Sequence, residues 1–265
     1  MGLRAAVLIV VLLLTGICSG EAAPRNHCLG CHPAHYTEQG SCRYCHLGNQ
    51  QTSRKQLAHS GVIAGQYATF TNPRTPAVIA GTKLAEQAAC RRCHVLNNTG
   101  NHLASNLDKL LWTTSPEAIR KALLDPAIYM PVFRFSEQDL DNLVTAVLAG
   151  GRQTGKLLKD PPQVVHFSDA GSEKRNIFSK HCGGCHKVLS KRDGGLGSGT
   201  AGPNLSGLLT RFYPPTFTDN TRWSEEKLKR WVKNPRAVRK NALMRPVLLN
   251  PEEWDQLLNI LNVVL

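Results

Sequence analysis

Phe178-Ser-Lys-His-Cys182-Gly-Gly-Cys185-His186 is the stretch on which the reading of this chain turns. A Cys-x-x-Cys pair runs directly into a histidine, and the arrangement recurs as Cys28-Leu-Gly-Cys31-His32, Cys42-Arg-Tyr-Cys45-His46 and Cys90-Arg-Arg-Cys93-His94. Of the nine cysteines in 265 residues, these pairs take eight and leave only Cys18. The spacing argues against a disulfide framework with a spare thiol, and a zinc ribbon needs no histidine after every pair. A hydrophobic content of 42% and a charged content of 19% exclude a disordered chain, and no apolar run suits a multi-span membrane protein.

Residues 1–20 read as a secretory signal peptide: Arg4, an apolar stretch from Ala5 to Leu14, then small residues ending at Gly20. The apolar run is short for a membrane span. Cleavage after Gly20 or Ala22 removes Cys18. Acylation of Cys18 as a lipoprotein anchor is disfavoured by Ile17, which stands where a small residue is wanted. The mature protein is expected in the periplasm or at the outer cell surface.

Two thiols three positions apart can form thioethers to the two vinyl groups on one porphyrin edge, and the next histidine then lies under the ring. That is the c-type haem attachment signature. Four copies predict four covalently bound haem c groups, held by Cys28, Cys31, Cys42, Cys45, Cys90, Cys93, Cys182 and Cys185. His32, His46, His94 and His186 are the expected proximal iron ligands. With these motifs the chain resembles the multihaem c-type cytochromes of bacterial envelope and extracellular electron transfer.

The distal ligands divide into two kinds. Apart from the initiator, the only methionines are Met130 and Met244, one after each of the last two motifs and each near a proline. Both are read as axial ligands rather than core filler. Their surroundings look like an internal repeat. Ser115-Pro116-Glu117 opens a helix ending before Asp125-Pro126. After Met130, Ser136 with Asp139 caps a helix with the apolar face Leu140, Leu143, Val144, Val147 and Leu148, stopped by Gly150-Gly151. After the fourth motif, Ser224 opens a helix ending before Asn234-Pro235, Met244 follows, and Asn250-Pro251 starts a final helix.

That order resembles class I monohaem cytochromes c. Residues 171–265 carry the likeness best, with Phe178 four positions before Cys182 and Gly202-Pro203-Asn204-Leu205 matching the family's loop under the proximal histidine. The resemblance implies that Pro203 orients His186 through the backbone. Residues 80–152 are a compressed relative: 36 positions separate His94 from Met130, against 58 from His186 to Met244, and Glu86 replaces the phenylalanine. The expected architecture is all-α and loop-rich, with a dihaem segment at 21–79, class I cytochrome c-like helical domains at 80–152 and 171–265, and a Pro-rich linker at 153–170.

Residues 24–72 contain no methionine, and nine residues separate His32 from Cys42. So short a segment cannot bury a protein core, and the two porphyrins are expected to form its interior. His35 is too close to His32 to cross its own haem and is the natural donor to the second. His59 has the slack to reach the first. His27, beside Cys28, is sterically poor, while His102, His166 and His181 are read as loop, linker or pre-motif residues.

Methionine in place of histidine raises a haem potential. Electrons are therefore expected to run from a low-potential bis-histidine pair to two His/Met haems, in anaerobic respiration or extracellular electron transfer. The available ligands close all four irons, which favours a carrier over an enzyme. The alternatives are a haem-based respiratory reductase of nitrite, selenite or tellurite type, and a structural subunit of a membrane-associated electron-conduit complex. The formal charge is +13, of which the signal removes one. Propionates bring the oxidised holoprotein to about +8, which suits acidic redox partners through salt-sensitive steering. Export and covalent haem argue against nucleic acid.

Overall fold

A computed structural model of the protein describes residues 26–155 and 176–263. The expected signal peptide with Cys18, and the expected linker from residue 156 on with His166, lie outside the described residues.

The described chain is mostly helical, with loops between the helices. In chain order the helices are α1 (Cys42–His46), α2 (Lys55–Ala58), α3 (Pro76–Gln87), α4 (Leu110–Thr113), α5 (Pro116–Leu124), α6 (Glu137–Thr154), α7 (Ile177–His181), α8 (Glu225–Lys233), α9 (Pro235–Val238) and α10 (Pro251–Leu261). Local chemistry sets their starts. The side chains of Ser115, Ser136 and Ser224 accept from the amides of Ala118, Asp139 and Lys227, satisfying donors that a helix start leaves unpaired. Asn250 and Glu253 form a reciprocal capping box on α10. The expected repeat is visible here. α5 and α8 each have nine residues, a serine cap, and a following Asp-Pro or Asn-Pro.

One helix end is corrected. Gly150-Gly151 does not stop α6, which continues to Thr154. The glycines are close-approach positions: a Cβ on Gly151 would lie 2.7 Å from the Asp108 carbonyl and 2.7 Å from Leu111 Cβ. The fold is mostly helical with loops, as expected, and adds two short hairpins. β1 (Val95–Leu96) pairs with β2 (Thr99–Gly100), and β3 (Val188–Ser190) with β4 (Gly194–Leu196), both antiparallel. Each hairpin begins one or two residues after a motif histidine. Asn97 and Asn98 make the first turn in the left-handed region, at φ 54° and 53°, which asparagine tolerates better than most residues. Strands of two and three residues are too short to show an alternation in sequence.

One core joins Ile63, Tyr67, Phe70 and Val78 to Leu111, Ile119, Val144, Val147 and Leu148. The boundary expected at 79/80 therefore falls inside α3, and residues 63–78 pack with the segment that follows. α3 lies close on α6, where Gly81 meets the Asn142 backbone and the Ala146 methyl. A second core gathers Ile177, Phe178, Val188, Leu196, Leu228, Leu257 and Ile260, with Phe178 fully buried. Between residues 26 and 62 not one side chain is buried. Among the described residues, no helix is long and apolar enough to cross a membrane.

Candidate cofactor-binding centres

Each motif is a single tight turn. The histidine amide returns to the carbonyl of the first cysteine in three of them, at 2.9 Å for His32 to Cys28, 3.0 Å for His94 to Cys90 and 2.9 Å for His186 to Cys182. The second motif is α1 itself. Residues three apart in such a turn are neighbours on one face, as two thiols gripping one edge of a flat ligand require.

Three of the four motif histidine rings share a second feature. Nδ1 of His46 donates to the Ile63 carbonyl at 2.9 Å, Nδ1 of His94 to Ser105 at 2.7 Å, and Nδ1 of His186 to Pro203 at 2.8 Å. A carbonyl can only accept, so Nδ1 carries the hydrogen and Nε2 keeps its lone pair. That tautomer is the one a metal-ligating imidazole needs. Gly202 lies flat against the His186 ring, where any Cβ would collide with the imidazole. The Ile63 and Ser105 carbonyls were not legible in the sequence, because any residue supplies a main-chain oxygen.

Further histidines face the two N-terminal rings. The centroids of His32 and His59 are 5.8 Å apart, and those of His35 and His46 are also 5.8 Å apart. Imidazoles on opposite sides of one metal, each with nitrogen about 2 Å away, have ring centres about 6 Å apart. These are the two pairings expected for His59 and His35. His27 belongs instead to a 3₁₀ turn whose amide donates to Gln50 at 2.9 Å. His102 is exposed, and His181 lies 3.7 Å from Glu253.

Met244 packs against the C-terminal core, and its sulfur accepts from the Trp231 indole at 3.0 Å. Ala122 occupies the corresponding position of α5. Met130 is half-buried in a turn closed by its amide to Ala127 at 2.8 Å. That turn leans on the fourth-motif region: Lys187 donates to the Ile128 carbonyl at 3.0 Å, and Asn204 to the Tyr129 carbonyl at 2.7 Å.

Burial and the neighbouring Cys93 push the Cys90 thiol up to about 11, and burial with neighbouring Cys185 does the same to Cys182. Burial raises Cys93 as well, and it lowers His94 against the upward pull of the Ser105 carbonyl. Arg91, between Cys90 and Cys93, pairs with Glu86 at 3.2 Å, so Glu86 serves a surface ion pair where the fourth segment has buried Phe178.

Among the described residues, no three His, Cys, Asp or Glu side chains converge into a metal cage. Within four positions of the expected ligands the sequence carries exposed large apolar side chains: Leu57 before His59, Ile128 and Val132 on either side of Met130, and Leu243 and Leu248 on either side of Met244. A porphyrin face would cover such surface. With no buried side chain in residues 26–62 and three imidazoles whose Nε2 keeps its lone pair, the residues present fit a haem. No family model matches the chain, and neither the curated proteins nor the solved structures include a match.

Proposed function

We propose that the protein is a tetrahaem c-type cytochrome that relays single electrons in the bacterial cell envelope. Haem, when bound, supplies a one-electron ferric/ferrous couple. The eight motif cysteines would hold the four groups. His32 with His59, His46 with His35, His94 with Met130 and His186 with Met244 would ligate them. The observation that carries this reading is the shared tautomer of His46, His94 and His186, each fixed by a main-chain carbonyl. It is supported by the facing rings of His32 with His59 and His35 with His46.

The chain's own residues then divide the work. The carbonyls of Ile63, Ser105 and Pro203 orient three imidazoles. Trp231 donates to the sulfur of Met244, which would withdraw electron density from it and favour the reduced iron were Met244 a ligand. The bis-histidine pair would sit at low potential and the two methionine centres higher, so electrons would run from residues 26–62 towards the C-terminal half. On this reading the mature protein works outside the cytoplasm and meets acidic redox partners, alone or within an electron-conduit complex, as residues 1–20 and the basic balance imply.

Redox-poised spectroscopy of the purified protein tests the proposal. The expected result is four c-haems per chain, a methionine–iron charge-transfer band, and two separated groups of potentials. Fewer haems, absence of that band or a single narrow potential range counts against it.

A further inference from the structure

The third and fourth motifs meet through residues 202–207, and Asn204 is the node of the junction. Its Nδ2 donates to the Tyr129 carbonyl at 2.7 Å, while its Oδ1 accepts from the Ser206 amide at 2.9 Å. Its own carbonyl accepts from the Arg92 guanidinium at 3.3 Å and from the Tyr213 hydroxyl at 3.2 Å. Tyr129 immediately precedes Met130, Arg92 lies between Cys90 and Cys93, and Pro203 supplies the carbonyl that fixes His186. One residue therefore touches both sides of the third centre and adjoins the histidine support of the fourth.

We propose that Asn204 is a positioning residue shared by these two centres: its side chain holds the Met130 turn in place, and its main chain fixes Arg92 and His186 in register. This rests on Met130 and His94 ligating the third haem and His186 the fourth. The physical basis is directional. The Oδ1 bond to Ser206 is an Asx turn that fixes the amide plane, so Nδ2 can point only one way. Its acceptor, Tyr129, lies in residues 126–136, which form no helix or strand and so have no regular ladder to hold them. Asn101 closes the junction from the other side, donating to the Arg92 carbonyl at 2.9 Å and to Thr210 at 3.0 Å. A lone structural bond would couple Asn204 to one segment. Here the same residue spans three, so a change at 204 should register at irons it does not ligate.

The test is the holoprotein carrying Asn204→Asp, which keeps the acceptor to Ser206 but sets an oxygen against the Tyr129 carbonyl, with Asn204→Ala as the milder variant. The expected result is loss of about half the methionine–iron band, the share of Met130, with a shifted potential at the fourth centre and unchanged haem content. Lys187→Met removes the neighbouring bond to Ile128 and should leave most of the band. Deuterium exchange of residues 127–131 should speed up in both Asn204 variants, a readout independent of the band. Variants with wild-type band, potentials and exchange overturn the inference alone. A wild-type protein without the band overturns the ligand assignment, and the inference with it.

Discussion

The rings of His35 and His46 stand almost perpendicular, at 85°, with centroids 5.8 Å apart, although His35 belongs to the loop after the first motif and His46 closes the second. His46 is held from behind by the Ile63 carbonyl, so its free nitrogen has a fixed direction. His32 faces His59 at the same separation. Each N-terminal motif thus meets a second histidine from outside its own turn. On the proposed ligation, removing one second histidine opens one iron and leaves the other closed.

In His35→Ala and in His59→Ala, about one equivalent of cyanide should bind per chain, against almost none in the parent, because each variant frees one axial position. The double variant should take about two. Haem-band titration reads this directly. Equal uptake by all four proteins would sink the pairing.

The motifs and the helix starts at Ser115, Ser136, Ser224 and Asn250 were legible because each rests on side-chain chemistry at a fixed spacing, whereas the approach of His59 to His32 was read only from the slack of the chain. What escaped the sequence rests on backbone geometry or long-range contact. Gly150-Gly151 reads as a helix stop, yet it is the place where α6 passes against Asp108 and Leu111. The division at 79/80 failed to anticipate that Tyr67 and Phe70, both 1% exposed, join the core built on α6. Asn204 stands in a stretch expected to orient His186. Nothing local in it announces a bond to Tyr129, 75 positions away.

Thiol reactivity of the haem-free protein should follow burial. Cys90 and Cys182 are both held up to about 11, chiefly by desolvation of the thiolate. Alkylation needs the thiolate, so at pH 8 these two should react roughly 100-fold more slowly folded than unfolded, with the gap closing as pH approaches that value. Peptide mapping after a timed iodoacetamide pulse measures it. Equal folded and unfolded rates would show that the turns carrying these cysteines are open in solution.

Acid stability should depend on Glu253. Its carboxyl accepts from Lys180 at 3.0 Å and from the Asn250 amide at 3.2 Å, and these bonds hold it below the usual glutamate range. A carboxyl depressed in the folded state stabilises above its unfolded value, and that contribution fades as pH falls through the folded value. Glu253→Gln should therefore lower Tm at neutral pH and narrow its difference from the parent between about pH 5 and 3. Asn250→Ala removes the other half of the capping box and should cost about 1 kcal/mol at neutral pH. Thermal melts across that range test both. A Glu253→Gln deficit that grows on acidification would contradict the assignment.

Asp108 carries the sharpest stability prediction. It is fully buried, and its two carboxylate oxygens each accept a main-chain amide at 2.8 Å, from Asn97 and from Asn98. Those are the left-handed residues of the hairpin that follows His94, so the carboxylate offsets the cost of bending the chain there. Asp108→Ala would take the shared acceptor from two part-buried amides and should cost about 1–3 kcal/mol. Asp108→Asn keeps one acceptor and turns a donor towards the other amide, so it should not restore the parent. Denaturant midpoints give the size of the effect. The location follows from the hairpin: the third centre should lose its spectral signature at lower denaturant than the fourth, whose hairpin is built separately on β3 and β4. Simultaneous loss at both would mean that the junction through Asn204, rather than the Asp108 turn, sets the weakest point.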